Sequence, residues 1–279
     1  MLQDERIAFI GAGVMAEAMI KGLLTKQLVT DEQIIAAGPR AVRGQELSER
    51  YQIPTTTDNA KAVQGATVVV IAVKPQFLSH VYHQLKGKVE ANALVLSIVA
   101  GARLADLDHG LAHPNVVRSM PNTPAQIGQG ITVWTASAAV SEAQRGHARV
   151  ILGALGEEIF VEDEDYLDMA TALSGTGPAY VFLFMEAMID AGVHLGFPRY
   201  MAEKLVLQTL KGSAEYASQS AQHMARLRNQ VTSPGGTSAE ALYYLEKAGF
   251  RTALSRSIWA AYQRSVQLGR GKKRKIDED

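Results

Sequence analysis

Residues 6–24 read RIAFIGAGVMAEAMIKGLL: an apolar strand, a glycine turn and the start of an apolar-faced helix in unbroken succession. Ile7, Phe9 and Ile10 supply the strand, and Ala16 is small enough for the helix to pack on a sheet. Gly11 and Gly13 allow a tight turn and close approach of the backbone to a pyrophosphate. This is G-x-G-x-x-A in the strand-to-helix setting that gives the pattern its meaning. The first N–H groups of a helix have no partner within it, and the dipole there favours negative charge. The pattern predicts a dinucleotide-binding unit at the N-terminus, against the plainer reading of a tight turn without a ligand.

The next strand, 33–37, ends at Gly38-Pro39-Arg40. Where NAD is bound, an acidic side chain at this point takes the ribose hydroxyls, whereas a 2'-phosphate needs cations. Asp31 comes before the strand, and after it the chain offers Gly38, Arg40 and Arg43. That predicts NADPH as cofactor, NADH being the alternative, with Arg40 close to the adenosine 2'-phosphate. The competing view makes Arg40 and Arg43 ordinary solvated helix residues.

Residues 66–73, ATVVVIAV, form a continuous β-branched run of the kind found in strands buried on both faces, and it stops at Lys74-Pro75. Ligands of open α/β sheets sit at the C-terminal strand ends, which makes Lys74 a candidate for facing cofactor or substrate; an unengaged lysine would simply be exposed. Further strands are expected at 93–100, 115–120, 131–135 and 158–161, and helices at 44–50, 59–63, 77–85, 104–111 and 141–155. The two prolines of 121–124 predict a stiff, irregular loop. The alternation predicts an α/β fold, a Rossmann-type, doubly wound, mostly parallel sheet.

From Asp165 onward only helix patterns follow, at 166–173, 178–195, 199–218, 221–230, 238–247 and 251–268. The expected organisation is a Rossmann NAD(P)-binding domain over 1–164, an all-α domain over 165–270 and a charged, disordered tail over 271–279. The acidic run 162–165 reads as a solvated turn and not a metal site, since no histidine lies near it in sequence. Residues 178–195 are apolar around most of the helix circumference, which predicts burial in a homodimer interface. Glu186, Asp190, Gly192 and Gly196 argue against a membrane span there. With 28 basic and 28 acidic residues, no cysteine and no apolar N-terminal segment, the chain is expected to be cytoplasmic and to serve a small molecule, with neither nucleic acid nor membrane as partner.

Glycine clusters occur at 174–179, SGTGPA, and 233–238, SPGGTS. In the second, a Pro-Gly-Gly turn leads into a helix that Thr237 or Ser238 could cap, with free N–H groups suited to a carboxylate. Simple helix capping is the alternative.

Taken in order, FIGAGVMAEAMIKGLL at 9–24, AVKP at 72–75, SMPNTP at 119–124, LSGTGPAY at 173–180 and LRNQVTSPGGTSAEALYYLEKAGFR at 227–251 resemble the successive signatures of the Δ1-pyrroline-5-carboxylate reductase family over nearly the whole chain. The resemblance implies NAD(P)H-dependent reduction of 1-pyrroline-5-carboxylate to L-proline, the last step of proline synthesis. It also implies a helical domain that interlocks with a second subunit, and assembly of such dimers. Ile10, Gly11, Ala12, Gly13, Val14, Met15, Asn59, Ala72, Val73, Lys74, Pro75 and Ala100 would touch the cofactor. Ser233, Gly235, Gly236, Thr237 and Ser238 would hold substrate, with Ser238 and Lys74 as the catalytic candidates. The chain departs from the family in carrying Ser238 where threonine is frequent, and Arg228-Asn229-Gln230 where an acidic-Asn pair is frequent.

Little acid-base machinery is needed if the substrate's ring nitrogen carries the activating proton, and none of the histidines falls in a glycine cluster. A β-hydroxyacid dehydrogenase would need a lysine four residues after the second glycine of the G-x-G turn, where this chain has Val181. An NADP-binding redox sensor without turnover is the non-enzymatic alternative.

Overall fold

The computed structural model describes residues 2–269, so the charged stretch expected to be a disordered tail lies outside the described residues. Two compact units are formed: Met1–Thr176 together with the C-terminal stretch from Ala260, and Gly177–Trp259.

In the first unit the strands are β1 (Ile7–Ile10), β2 (Ile34–Ala37), β3 (Thr55–Thr56), β4 (Val68–Ile71), β5 (Leu94–Ser97), β6 (Val116–Met120), β7 (Gly130–Ala136) and β8 (Gly156–Phe160). The helices between them are α1 (Val14–Thr25), α2 (Ala41–Tyr51), α3 (Asn59–Ala62), α4 (Leu78–Leu85), α5 (Leu104–Leu111) and α6 (Glu142–Gly153), with α7 (Tyr166–Ala170) after β8. They make one sheet in the order β3-β2-β1-β4-β5-β6-β7-β8. Among the described residues only the β6·β7 pair is antiparallel. A parallel pair needs a crossover of a dozen or more residues, and 121–129 is too short to provide one. The two prolines there do not leave an irregular loop as expected: a 3₁₀ turn over Thr123–Ile127 begins between them and ends at Gly128 with φ +71°.

Apolar side chains cover both faces of the sheet. Ile7, Phe9, Val68, Val70, Leu94 and Leu96 point into a core closed by Met19, Ile20, Leu23, Trp134 and Ile151. Ala8, Ile10, Val69, Ile71 and Val95 point into a second core closed by Val81, Leu85, Leu107 and Leu111. Full burial on both sides is why these strands carry no polar alternation, and each large side chain so buried contributes about 1.5–3 kcal/mol.

The first unit runs on to Thr176, past the boundary expected at 164/165; the acidic run is the exposed turn expected, with Glu162, Asp163 and Asp165 facing solvent, but Glu164 and the helix after it are tied back to the sheet. Arg118 of β6, 2 % exposed, donates to Glu164 Oε1 at 2.8 Å and to Asp168 Oδ1 at 3.2 Å. Glu164 also accepts the Leu104 N–H at 2.8 Å, and Asp165 pairs with Arg103 at 2.7 Å. Ser265, on the returning C-terminal helix, donates to Asp168 Oδ1 at 2.6 Å. After α7 the helix widens into a π turn over Thr171–Gly175, where Ser174 O accepts from Asn122 Nδ2 at 3.2 Å.

The second unit consists of α8 (Gly177–His194), α9 (Arg199–Ser218), α10 (Met224–Gln230), α11 (Thr237–Lys247) and the first half of α12 (Phe250–Gly269). Helices α8 and α9 meet where Gly192 faces Ala202, and Phe184 lies 6.2 Å from Phe250. No residue of α8 is buried within one chain: Phe182 is 60 % and Leu183 66 % exposed. The helical run Tyr166–His194 is long and apolar enough to cross a membrane by length and composition, with 6 % of its most apolar window buried.

Candidate active site

The C-terminal ends of the central strands are in register, Ile10 beside Ala37 and Ile71, and Ile71 beside Ser97. The chain leaves β1 toward β2 on one side and β4 lies on the other, so this edge is the crevice where ligands of doubly wound sheets bind. Gly11 turns away from β1 with φ +107°, held by its N–H on Ala37 O at 2.8 Å. A Cβ there would stand 2.5 Å from the Ala72 carbonyl oxygen, so any side chain is excluded twice, by conformation and by space. Gly13 caps α1 in an extended conformation, with no side chain bonded to the helix end. A Cβ at Gly13 would meet nothing within 4 Å, which leaves open space beside the backbone. The first helical bond runs from Glu17 N to Gly13 O at 3.0 Å, so the N–H groups of Val14, Met15 and Ala16 have no helical acceptor. Glycine backbone beside open space and free donors at a helix start fit a pyrophosphate.

The other expected cofactor residues belong to the same unit, and of these Ala72 and Val73 touch the glycine turn. Ala72 N is bonded to Ile10 O at 2.8 Å, and Val73 follows it out of β4 past Gly11. Lys74 is exposed and starts the 3₁₀ turn Pro75–Phe77. Asn59 opens α3 behind the Asp58 cap, and its Nδ2 donates to Gln84 Oε1 at 2.6 Å. Pro75 and Ala100 line a cleft of about 700 Å³ shared with Tyr82, Asp106 and His109. Burial there pushes the Tyr82 hydroxyl far above its ordinary range, and that hydroxyl has no hydrogen-bond partner among the described residues.

The two arginines after β2 are in different situations. Arg40 is exposed, precedes α2, and makes no side-chain hydrogen bond among the described residues. Arg43 is neither a solvated helix residue nor a free cation, and here the sequence reading needs correction. Its Nε donates to Ala12 O at 3.0 Å, its Nη1 to Glu46 at 2.8 Å, and its Nη2 to Glu17. Glu17 also accepts from Arg50 and, at 3.0 Å, from the Tyr51 hydroxyl. Burial pushes the Glu17 carboxyl upward, but the hydrogen bonds from Arg43 and Tyr51 and the Arg43 charge outweigh it, so the group sits below its ordinary range. Nothing in local periodicity announces this cluster, because Glu17 and Arg43 lie on different helices.

The loop 233–238 belongs to the second unit. Gly236 N donates to Ser233 O at 3.0 Å across a turn in which Gly235 has φ +70°. A Cβ on Gly236 would come within 3.1 Å of the Ser233 oxygen, so a side chain there would press on the turn. The residue capping α11 is Gly236, not Thr237 or Ser238 as the sequence suggested, and no side chain caps this end. Thr237 and Ser238 lie within the first turn, too far along to cap it. The helix's first bond, Glu240 N to Gly236 O at 3.2 Å, leaves the N–H groups of Thr237, Ser238 and Ala239 without helical acceptors. Both hydroxyls therefore remain available for other work. Just upstream, Gln230 donates to Gln222 at 3.0 Å.

Comparison with known proteins places both halves. Residues 164–268 match the family model described as pyrroline-5-carboxylate reductase dimerisation, and residues 6–101 the one described as NADP oxidoreductase coenzyme F420-dependent. The pyrroline-5-carboxylate reductase of Synechocystis sp. is 40 % identical over 265 residues, 95 % of this chain and 98 % of that protein. That of Pseudomonas aeruginosa is 43 % identical over 268 residues, 96 % and 98 % of the two chains. Among solved structures, Plasmodium falciparum pyrroline carboxylate reductase with NADP bound superposes with a TM-score of 0.88 at 31 % identity, covering 95 % of this chain and 98 % of the other. The chain, with its glycine turn at the head of a doubly wound sheet and its Pro-Gly-Gly turn in a helical unit, belongs to the pyrroline-5-carboxylate reductase family.

Proposed function

We infer that this protein reduces 1-pyrroline-5-carboxylate to L-proline with NADPH, NADH being the alternative donor, as the closing step of proline synthesis. The observation that carries the reading is the full-length match to pyrroline-5-carboxylate reductases in a chain that keeps both donor turns. The reduced nicotinamide, when bound, supplies the hydride that adds to C5 of the cyclic imine. The chain's residues do the rest by holding and orienting.

The N–H groups of Gly13, Val14, Met15 and Ala16 would take the pyrophosphate, and Arg40 the 2'-phosphate. Ala72, Val73, Pro75, Asn59 and Ala100 would shape the rest of the dinucleotide site, with Lys74 toward the reacting end. The free N–H groups at the start of α11 would take the substrate carboxylate, and the Ser238 hydroxyl would accept the hydrogen bond of the protonated ring nitrogen. Because that proton is already on the substrate, hydride addition yields the neutral amine directly, and catalysis rests on positioning and preorganised dipoles.

The exposed apolar residues of α8, in a segment that matches a dimerisation model, support a homodimer through the helical unit. Purified protein mixed with NADPH and pyrroline-5-carboxylate should lose absorbance at about 340 nm, the nicotinamide signal. A flat trace with measurable NADPH binding would overturn the enzymatic reading in favour of a sensor.

A further inference from the structure

Arg43 is placed to act on the dinucleotide turn without touching a ligand. Its guanidinium is half-buried between α1 and α2, with side-chain exposure of 17 %, and all three nitrogens are engaged, on Ala12 O, Glu46 and Glu17. Gly38 packs close to Ala12: a Cβ on Gly38 would lie 3.1 Å from the Ala12 Cβ, so a side chain there would crowd the turn. In a planar trans peptide the C=O and the following N–H point in opposite directions. Fixing the Ala12 oxygen on Arg43 Nε therefore turns the Gly13 N–H away from α2. Beside Gly13 the space is open.

We propose that Arg43 is a positioning residue of the glycine turn: it sets the direction of the Gly13 N–H, and so serves the pyrophosphate common to NADPH and NADH and not the 2'-phosphate that distinguishes them. The inference rests on the cofactor reading above. It assigns different work to two arginines three positions apart, Arg40 outside the cluster and Arg43 within it. Lysine cannot replace the planar fork, because a single ammonium does not reach the carbonyl and both carboxylates together.

The test is equilibrium binding of NADPH and of NADH, each followed by nicotinamide fluorescence, to the parent protein and to Arg43→Lys, below the melting midpoint of both. The substitution keeps the charge and loses the fork. The expected result is a rise in Kd of about three- to tenfold for both cofactors by the same factor, the loss of one hydrogen bond being worth up to about a tenfold change. A rise for NADPH alone would make Arg43 a 2'-phosphate ligand and overturn the proposal, as would unchanged affinity for both. If Arg43→Lys does not fold, Glu17→Gln loosens the far end of the fork, and a smaller equal rise for both cofactors is expected; unchanged affinity for both would again overturn it. Failure of the parent protein to bind either cofactor would instead defeat the cofactor reading itself.

Discussion

Replacing Ser238 by alanine separates two roles that a serine at a helix start could have. A capping serine lost to alanine costs about 1 kcal/mol of stability. Here Gly236 occupies the cap and no side chain bonds to the end of α11, so that cost is absent. Within a helix alanine is the better former by roughly 0.5 kcal/mol, so the melting midpoint of Ser238→Ala should be unchanged or slightly raised. The activity should move the other way. A hydrogen bond to a charged group is worth about 1.5–3 kcal/mol, and at 1.36 kcal/mol per decade its loss in the transition state lowers kcat/KM by roughly 10- to 150-fold. Ser238→Thr keeps the hydroxyl and should stay active. The assay pairs a thermal melt with initial rates of NADPH oxidation over a range of imine concentrations. An alanine variant with the parent kcat/KM would remove Ser238 from the reaction and direct attention to Thr237, Ser233 or Thr176. A variant that melts several degrees lower would refute the cap geometry.

Arg40→Glu should lower kcat/KM for NADPH more than for NADH, since Arg40 is exposed and outside the Glu17 cluster; an unmoved ratio of the two specificity constants would rule it out as the 2'-phosphate ligand. Sedimentation of the dilute parent protein should show a dimer or larger, and the double change Phe182→Glu with Leu183→Glu should dissociate it, because each such side chain contributes about 1.5–3 kcal/mol when buried. A stable, active parent monomer would defeat the interface assignment. Asp168→Ala should destabilise the fold by about 3 kcal/mol, at the low end for a broken buried pair because Glu164 still holds Arg118, and a chemical denaturation curve would read the loss as a lower midpoint at constant slope.

The first βαβ unit was legible because an apolar strand, two glycines and an apolar-faced helix each demand the same local geometry. Strand limits were less so. The runs 66–73 and 93–100 read as strands throughout, yet the ladders span only Val68–Ile71 and Leu94–Ser97. A hydrophobic run reports burial: Ala72 makes one last bond to Ile10 O beyond the ladder, and with Val73 it then packs against Gly11 as the chain leaves the sheet. The antiparallel β7 could be inferred only from the shortness of its connection. Arg43 on Glu17 and Arg118 on Asp168 were hidden, because charged residues that pair across the fold look, in sequence, like charged residues that face water. Of the candidate substrate loop, the turn and its glycines were foreseeable, whereas the capping residue was not: glycine and serine both favour that position, and only the backbone decides between them.

The chain enters the helical unit at Gly177 and comes back to the first unit at Ala260, where Ser265 is bonded to Asp168. In the vocabulary of recombination, the helical unit is an insertion rather than an appendage. A chimera between two relatives made with a single crossover near 164 would join one parent's Arg118 to the other parent's Asp168 and Ser265. Two crossovers, at 176/177 and 259/260, would keep that buried set from one parent and exchange the helices as a cassette.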